Sequence, residues 1–411
     1  MNSAFRSCRG MRGWSRSTAD RPASGKGRLR LLFPSLLLLL PAVAASQEPV
    51  RFGRPDATVA EPRGSIEGIR VQRGGSVLVA DGAESRLIRY SRDLETASVL
   101  GREGQGPDEY RQPDGLFALP GDSTLMTDLG NGRIAVLDPD GTIVRTAPIA
   151  REGDDGSLML LLPRATDAEG GIWFTTRTGP GMRLEDSVRV RRLEPGTGAI
   201  ESVAGLAPPP ISRSTSGGGG RQEERVMPIP FGPEDDWAVG PGGLAIVRAE
   251  PYRVERVNPD GELVLGPEIA WEPVEVKRAD KEEWLDALSG GLMVMVTEEN
   301  GVRNTNFRRG GRPPGMDLDS FEWPETKPAF VPRGTFVDFA GRVWVRRNVM
   351  AGEPPLYDVF GPDGRRSGQV ELPPGRRLLG FSRDYVYMAR TDELDFQWLE
   401  RYPEPAVSSG R

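Results

Sequence analysis

Residues Gly101–Gly141 read GREGQGPDEYRQPDGLFALPGDSTLMTDLGNGRIAVLDPDG. Three short apolar-rich runs stand out: Leu116–Leu119, Thr124–Thr127 and Arg133–Leu137. Pro120-Gly121-Asp122 separates the first two, and Asp138-Pro139-Asp140-Gly141 closes the third. Such runs read as strands, because their side chains fit a half-buried pleated surface, while Gly, Pro and Asp supply the dihedrals of tight turns. The stretch therefore predicts one antiparallel meander.

The same pattern recurs along the chain. Gly74–Asp81 is followed by Arg86–Asp93, Asp122–Asp128 by Gly132–Gly141, and Gly170–Arg177 by Ser187–Gly198. Further on, Gly242–Ala249 is followed by Tyr252–Gly261, Gly341–Asn348 by Leu356–Gly364, and Asp384–Arg390 by Asp395–Pro403. No single copy can bury its own apolar face, whereas copies packed radially shield one another and leave only short edges. The fold expected is all-β: a six-bladed β-propeller of four-stranded antiparallel blades over residues 47–405, with a helical insertion between blades four and five. An open β-sandwich or two smaller barrels is the competing arrangement. Blade six runs out of chain near Tyr402, so the β-prone piece Thr58–Glu61 is expected to supply its outermost strand.

Two segments break the repeat. Pro208–Arg225, PPPISRSTSGGGGRQEER, is rich in Pro, Gly and Ser without apolar periodicity and reads as a disordered loop. Residues 271–323 form an insertion. In it Asp280 and Glu283 give a capping-box-like helix start, Trp284, Leu285 and Leu288 share one face, and Gly290-Gly291 ends the helix. Gly301–Gly315 reads as loop, and residues 406–411 as a disordered tail. The helix either lies across one end of the ring as a lid or packs on its side.

Arg28–Ser46 places positive charges before an apolar run and small residues after it, the pattern of a secretory signal peptide cleaved after Ala44 or Ser46. The run is shorter than the ~20 residues that span a bilayer and contains Pro34 and Pro41, so no stable membrane anchor is expected after cleavage. The destination expected is periplasmic or extracellular. Residues 1–46 hold eight of the 53 Lys and Arg and one of the 59 Asp and Glu, so the remainder carries a net charge of −13. An acidic chain is not expected to bind nucleic acid.

The sole cysteine is Cys8, upstream of the apolar run, and the chain has no histidine. Residues 47–411 therefore hold no disulfide, cysteine nucleophile or thiolate metal site, and the chain no serine–histidine triad or histidine-ligated zinc. The Asp-rich turns at Asp138-Asp140-Gly141 and Asp363-Gly364 lack the spacing of a calcium loop and read as type I turns. Asp81 and Asp128, at strand ends, read as braces for the adjoining turn. Trp173, Trp344 and Tyr385 read as packing between blades, with sugar stacking as the alternative.

Aligning the repeats places Glu67, Asp114, Arg164, Asp236, Arg333 and Arg377 just ahead of successive innermost strands. In a propeller that position is the mouth of the central channel. Two readings stay open: a salt-bridge ring that plugs the channel, or a site where guanidinium forks hold a small anionic or zwitterionic ligand.

The opening stretch resembles an NHL-type propeller blade in Gly104, Gly106, Pro107, Glu109 and Tyr110, then Pro113 and Gly115, then Asn131, Arg133 and Ile134. That resemblance implies a propeller like those of bacterial exported proteins, over roughly Gly64–Pro403, and specifies no substrate. Ile66–Tyr90 is also similar to the first blade of the gluconolactonase (senescence-marker) family. This second resemblance implies that Glu67 binds Ca²⁺ in a lactonase-like hydrolase, but the family's later Asn and Asp ligands have no matching motif here. The leading expectation is a non-catalytic, cofactor-free monomer that binds a small molecule or a protein at the channel mouth. The alternatives are the Ca²⁺-dependent hydrolase and an interaction scaffold.

The leader reading makes a direct prediction. Protein recovered after expression in an export-competent bacterium should begin at Ala45 or Gln47 by intact mass, and a product that keeps residues 1–46 would refute it.

Overall fold

The computed structural model describes residues 48–152, 158–175, 188–216, 223–299, 302–310 and 316–407. Their strands form six four-membered antiparallel meanders, numbered here in chain order. Blade one comprises Gly68–Val71, Val77–Asp81, Arg86–Tyr90 and Ala97–Leu100; blade two comprises Pro113–Ala118, Thr124–Asp128, Arg133–Leu137 and Ile143–Pro148. Blade three comprises Ala165–Thr166, Ile172–Thr175, Val188–Leu193 and Ile200–Leu206; blade four comprises Asp236–Gly240, Gly243–Arg248, Arg253–Val257 and Leu263–Leu265. Blade five comprises Phe330–Val337, Val343–Arg347, Leu356–Phe360 and Arg366–Glu371. Blade six takes Arg376–Phe381, Tyr385–Thr391 and Gln397–Pro403 from one end of the chain and Ala57–Thr58 from the other. The protein is thus a six-bladed propeller with a helix, Arg278–Ser289, in the connection from blade four to blade five.

The second strand of each blade explains why these sequences make a ring. In Val77–Asp81 every residue is buried, yet side chains alternate between faces. Val77 and Val79 pack with Tyr387, Ala389 and Leu399 of blade six, while Leu78 and Ala80 pack with Met126, Ala135 and Leu137 of blade two. The same division holds at Val343 and Val345 against Trp344, which face blades four and six respectively. An apolar cluster fills each of the six junctions. At about 1.5–3 kcal/mol per fully buried aliphatic side chain, these junctions dominate the stability.

Polar groups brace the turns. In blade three Asp167 accepts hydrogen bonds from the Gly171 N–H (2.7 Å), the Trp173 indole (2.8 Å) and the Arg192 guanidinium (2.6 Å). In blade five Asp338 does the same for the Arg342 N–H (2.9 Å), the Trp344 indole (2.8 Å) and the Arg342 guanidinium (2.7 Å). These bonds make both tryptophans part of the packing between blades. Asp81 accepts from the Gly64, Ser65 and Glu84 N–H groups, and Asp128 from Arg111, Asn131 and Arg133, so both brace turns as their positions suggest.

Closure begins one residue earlier than Thr58. Ala57 pairs with Arg401 and Thr58 with Glu400, while the Val59 N–H donates to the Leu399 carbonyl (3.0 Å). The Arg401 guanidinium grips the Asp56 carboxylate through two nitrogens at 3.0 and 2.9 Å, across 345 residues of sequence. Val50–Arg51 also adds, in parallel, to the outer strand of blade five.

Four local expectations need correction. Within the segment expected to be disordered, 208–225, Ile211–Ser216 pairs antiparallel with Glu223–Pro228; residues 217–222 lie outside the described residues. Ladder bonds satisfy the backbone whatever the side chains, so a polar Ser/Thr/Arg run pairs without an apolar pattern to announce it. The segment read as loop from Gly301 contains Val302–Arg309, which pairs with Leu292–Glu299, a run whose β-branched residues favour a strand. The residue that caps the helix is Lys277 rather than Asp280: Asp280 is the third residue of the helix, and its carboxylate accepts the Lys277 N–H at 2.8 Å. Val407, assigned to the tail, is buried against blades five and six because its apolar side chain reaches their shared cluster.

The closing ladder yields a prediction. Deleting residues 47–62 should lower the melting temperature of the entire chain while keeping one transition. A truncated protein that melts like the chain from residue 47, or that loses a separate early transition, would show that the ring does not depend on this segment.

Candidate functional site

Strands one and three of a meander run in the same direction. The start of each innermost strand therefore lies at the same end of the ring as the turn between strands two and three. All six sequence-selected residues fall at that end. Glu67 immediately precedes Gly68–Val71, Arg164 precedes Ala165–Thr166, and Asp236 opens Asp236–Gly240. Asp114 and Arg377 are the second residues of their strands, and Arg333 is the fourth of Phe330–Val337.

One described ion pair joins two of these residues directly. Arg164 Nη2 lies 2.6 Å from Asp236 Oδ1, and the other oxygen of Asp236 accepts the Thr335 N–H of blade five at 3.0 Å. Blades three, four and five thus meet on one buried carboxylate, 1% exposed, beside a guanidinium that is 27% exposed. The Arg164 guanidinium also stacks over Trp237, 4.9 Å from the ring centroid. Its approach to Asp236 is off hydrogen-bond alignment, so Nη2 is buried without a hydrogen-bond acceptor among the described residues.

Across the mouth the backbone is close-packed. A Cβ on Gly68 would lie 2.8 Å from the Asp114 carbonyl oxygen, and one on Gly82 would lie 2.9 Å from Glu67 Cγ. The Glu67 side chain is therefore folded over the turn of its own blade, beside blade two. Arg377 Nη2 donates to the Ile66 carbonyl at 2.6 Å and joins blade six to blade one. Arg333 stands apart. It is exposed, its φ of 62° is left-handed, and it sits where the pairing slips between Phe330 and Thr335. A bulge of this kind re-aims side chains next to functional sites.

The insertion meets the same end of the ring. Asp280 accepts the Ala351 N–H from the blade-five turn at 2.8 Å and pairs with the Lys327 ammonium at 2.6 Å. Trp284, Phe321 and Trp323 contact one another edge-on, Phe231 leans on Trp323, and Lys281 lies over the Trp323 ring. Further along, Leu292, Val294 and Phe307 pack in the cluster that holds Leu129 of blade two.

Among the described residues no three of Asp, Glu, His or Cys converge on a point that could hold a metal ion. Asp236 is committed to Arg164 and Thr335, and the remaining positions mix acids with arginines. This donor set does not fit a divalent cation around Glu67.

No family model and no curated protein matches this chain. Solved structures do. One is a gluconolactonase from Xanthomonas campestris, 14% identical over 87% of this chain and 95% of that one, with a TM-score of 0.43. A second is a member of the DUF4221 family from Bacteroides vulgatus, 8% identical over 86% and 96%, with a TM-score of 0.44. A third is regucalcin, a calcium-binding protein from Agrobacterium tumefaciens, 12% identical over 88% and 96%, with a TM-score of 0.38. Resemblance at this level assigns no chemistry; the number of blades rests on the strand topology above. No helix among the described residues is long and apolar enough to cross a membrane.

Sequence reading missed two residues that organise this end. Asp235 accepts the Ala207 and Ala249 N–H groups and the Arg248 guanidinium, holding the start of blade four in place. Asp280 was noticed only as a cap. Burial pushes its carboxyl up, but the Lys327 ammonium and the Lys277 and Ala351 N–H donors outweigh that and hold it below the ordinary range.

A folded-state value below the unfolded one contributes stability above the ordinary carboxylate range near ~4, which is lost as pH falls through the lower value. Asp280→Asn should therefore destabilise the docked insertion at pH 7, measured as faster proteolysis within 271–323, and its difference from the parent should shrink as pH falls below ~4. A difference that persists unchanged at pH 2 would remove the ion pair as its cause.

Proposed function

We propose that this chain is an exported, non-catalytic propeller that binds a small anionic or zwitterionic ligand at the channel mouth. The observation that carries the reading is Arg164. Its guanidinium is stacked on Trp237 and paired with the buried Asp236, and its side chain stays 27% exposed at this end of the ring. That is a preset fork for a carboxylate or phosphate. The strained, exposed Arg333 on its bulge, one blade beyond Asp236, would supply a second cation. Glu67 and Asp114 would meet an amino group, and Arg377 would position the blade-six side.

The insertion would lie across this mouth. The helix is about 18 Å long at 1.5 Å per residue. Its first turn is bonded to the blade-five turn, and the strands after it pack on blade two. In a ring of six those blades face each other, so the direct path between them passes over the channel.

The NHL-like reading of the opening stretch has support of its own. The Asn131 side chain donates to the Gly104 carbonyl (3.0 Å), and the Arg133 guanidinium bonds the Glu109 carbonyl, so the motif's residues hold one another. The signal-peptide reading supports export.

A thermal-shift screen of phosphates, amino acids and hydrophilic di- and tricarboxylates, none with an alkyl tail, tests the site. At 100 times its Kd a ligand should stabilise the protein by about 2.7 kcal/mol. Arg164→Gln should abolish the shift of any hit while the protein stays folded. No hit at millimolar concentration, or a hit indifferent to Arg164→Gln, would sink the proposal; EDTA-sensitive hydrolysis of a sugar lactone would replace it with the hydrolase reading.

A further inference from the structure

Away from the mouth, a slot opens between blades two and three on the outer side of the ring. Leu125 and Ile134 of blade two and Ile172 and Leu193 of blade three form its buried walls. It encloses about 160 Å³. Protein interiors tolerate few voids of this size. A space of ~150 Å³ is large enough for a ring of about six carbons. Arg145 and Arg151 also line the slot, and neither guanidinium forms an ion pair or hydrogen bond with another described residue. Blade two contributes Arg145 from its outer strand, and Arg151 follows on the connection to blade three.

We propose that this slot is a second ligand site, separate from the channel mouth, for a small amphiphile with an anionic head. The aliphatic or aromatic tail would enter between Ile134 and Leu193, and a carboxylate would meet the Arg145 and Arg151 guanidiniums. The match is chemical: apolar walls take the tail by removing its surface from water, and two uncommitted guanidiniums at the edge take the charge.

Isothermal titration with octanoate, and with octanol as its uncharged counterpart, tests this on the full mature chain. Octanoate should bind more tightly than octanol. The surface double variant Arg145→Gln/Arg151→Gln should weaken octanoate by about tenfold or more, the loss expected for charge-assisted hydrogen bonds, and leave octanol unchanged. Ala147→Phe, which projects a ring into the slot, should abolish binding of both; if it fails to fold, the double variant alone decides. Arg164→Gln at the channel mouth should have no effect on octanoate. Equal octanoate affinity in the double variant, no binding by the parent at millimolar concentration, or loss of binding in Arg164→Gln would each overturn the site.

Discussion

Burial of the second strands on both faces is the constraint on which the whole molecule depends. A strand such as Val77–Asp81 leaves no face for water. Each blade must then have a neighbour on either side, and a finite row of blades would always end with two wet apolar faces. Closing the row removes both ends. The paired addition of Ala57–Thr58 to Gln397–Pro403 is what closes it, and the Asp56–Arg401 fork fixes the register across the seam. Everything at the channel mouth inherits its geometry from this closure, because the inner strands are positioned only by the packing behind them.

The polar network follows the same logic. Asp358 and Glu400 are buried and each is surrounded by donors. Asp358 accepts from Tyr252 of blade four and from Arg347 and Gln369 of its own blade, and Glu400 from Arg376, Arg390 and Tyr402. Burial together with the Asp358 carboxylate drives the Tyr252 phenol well above its ordinary value, so it stays a donor at any physiological pH. A buried carboxylate missing one partner is expensive, and these are satisfied several times over. They fix the angles between blades that apolar contact alone would leave loose.

The repeating strand pairs were legible because the apolar run and its bounding turn recur six times, and the seam was legible because blade six lacks chain. The spacing Asp167-Gly170-Trp173, repeated at Asp338-Gly341-Trp344, was also readable in principle, since an Asp six residues before a Trp places its carboxylate at the indole N–H. The ribbons at Ile211–Pro228 and Leu292–Arg309 were not legible. The first ribbon pairs two polar runs through backbone bonds, which leave no trace in residue type, and in the second the β-branched run Leu292–Glu299 faces the mostly polar Val302–Arg309. At the mouth, the sequence could align six charged residues but could not say which would touch. Arg164 and Asp236 meet because blades three and four are adjacent there, whereas Arg333 is displaced by a bulge whose length no local pattern records.

The seam also sets a timetable. The strand that completes blade six belongs to the first part of the described chain to be synthesised, and the strand it pairs with belongs to the last. Blades one to five can collapse as they emerge, but the face of blade one that carries Val77, Val79 and Tyr90 has nothing to cover it until blade six exists. Contacts of such sequence separation form slowly, and uncovered strand faces are the surfaces on which nascent chains aggregate. A ribosome stalled anywhere before Gln397 would therefore release a polypeptide that is nearly all present yet unable to finish folding. Quality control acting on this protein has one late event to monitor rather than six independent ones.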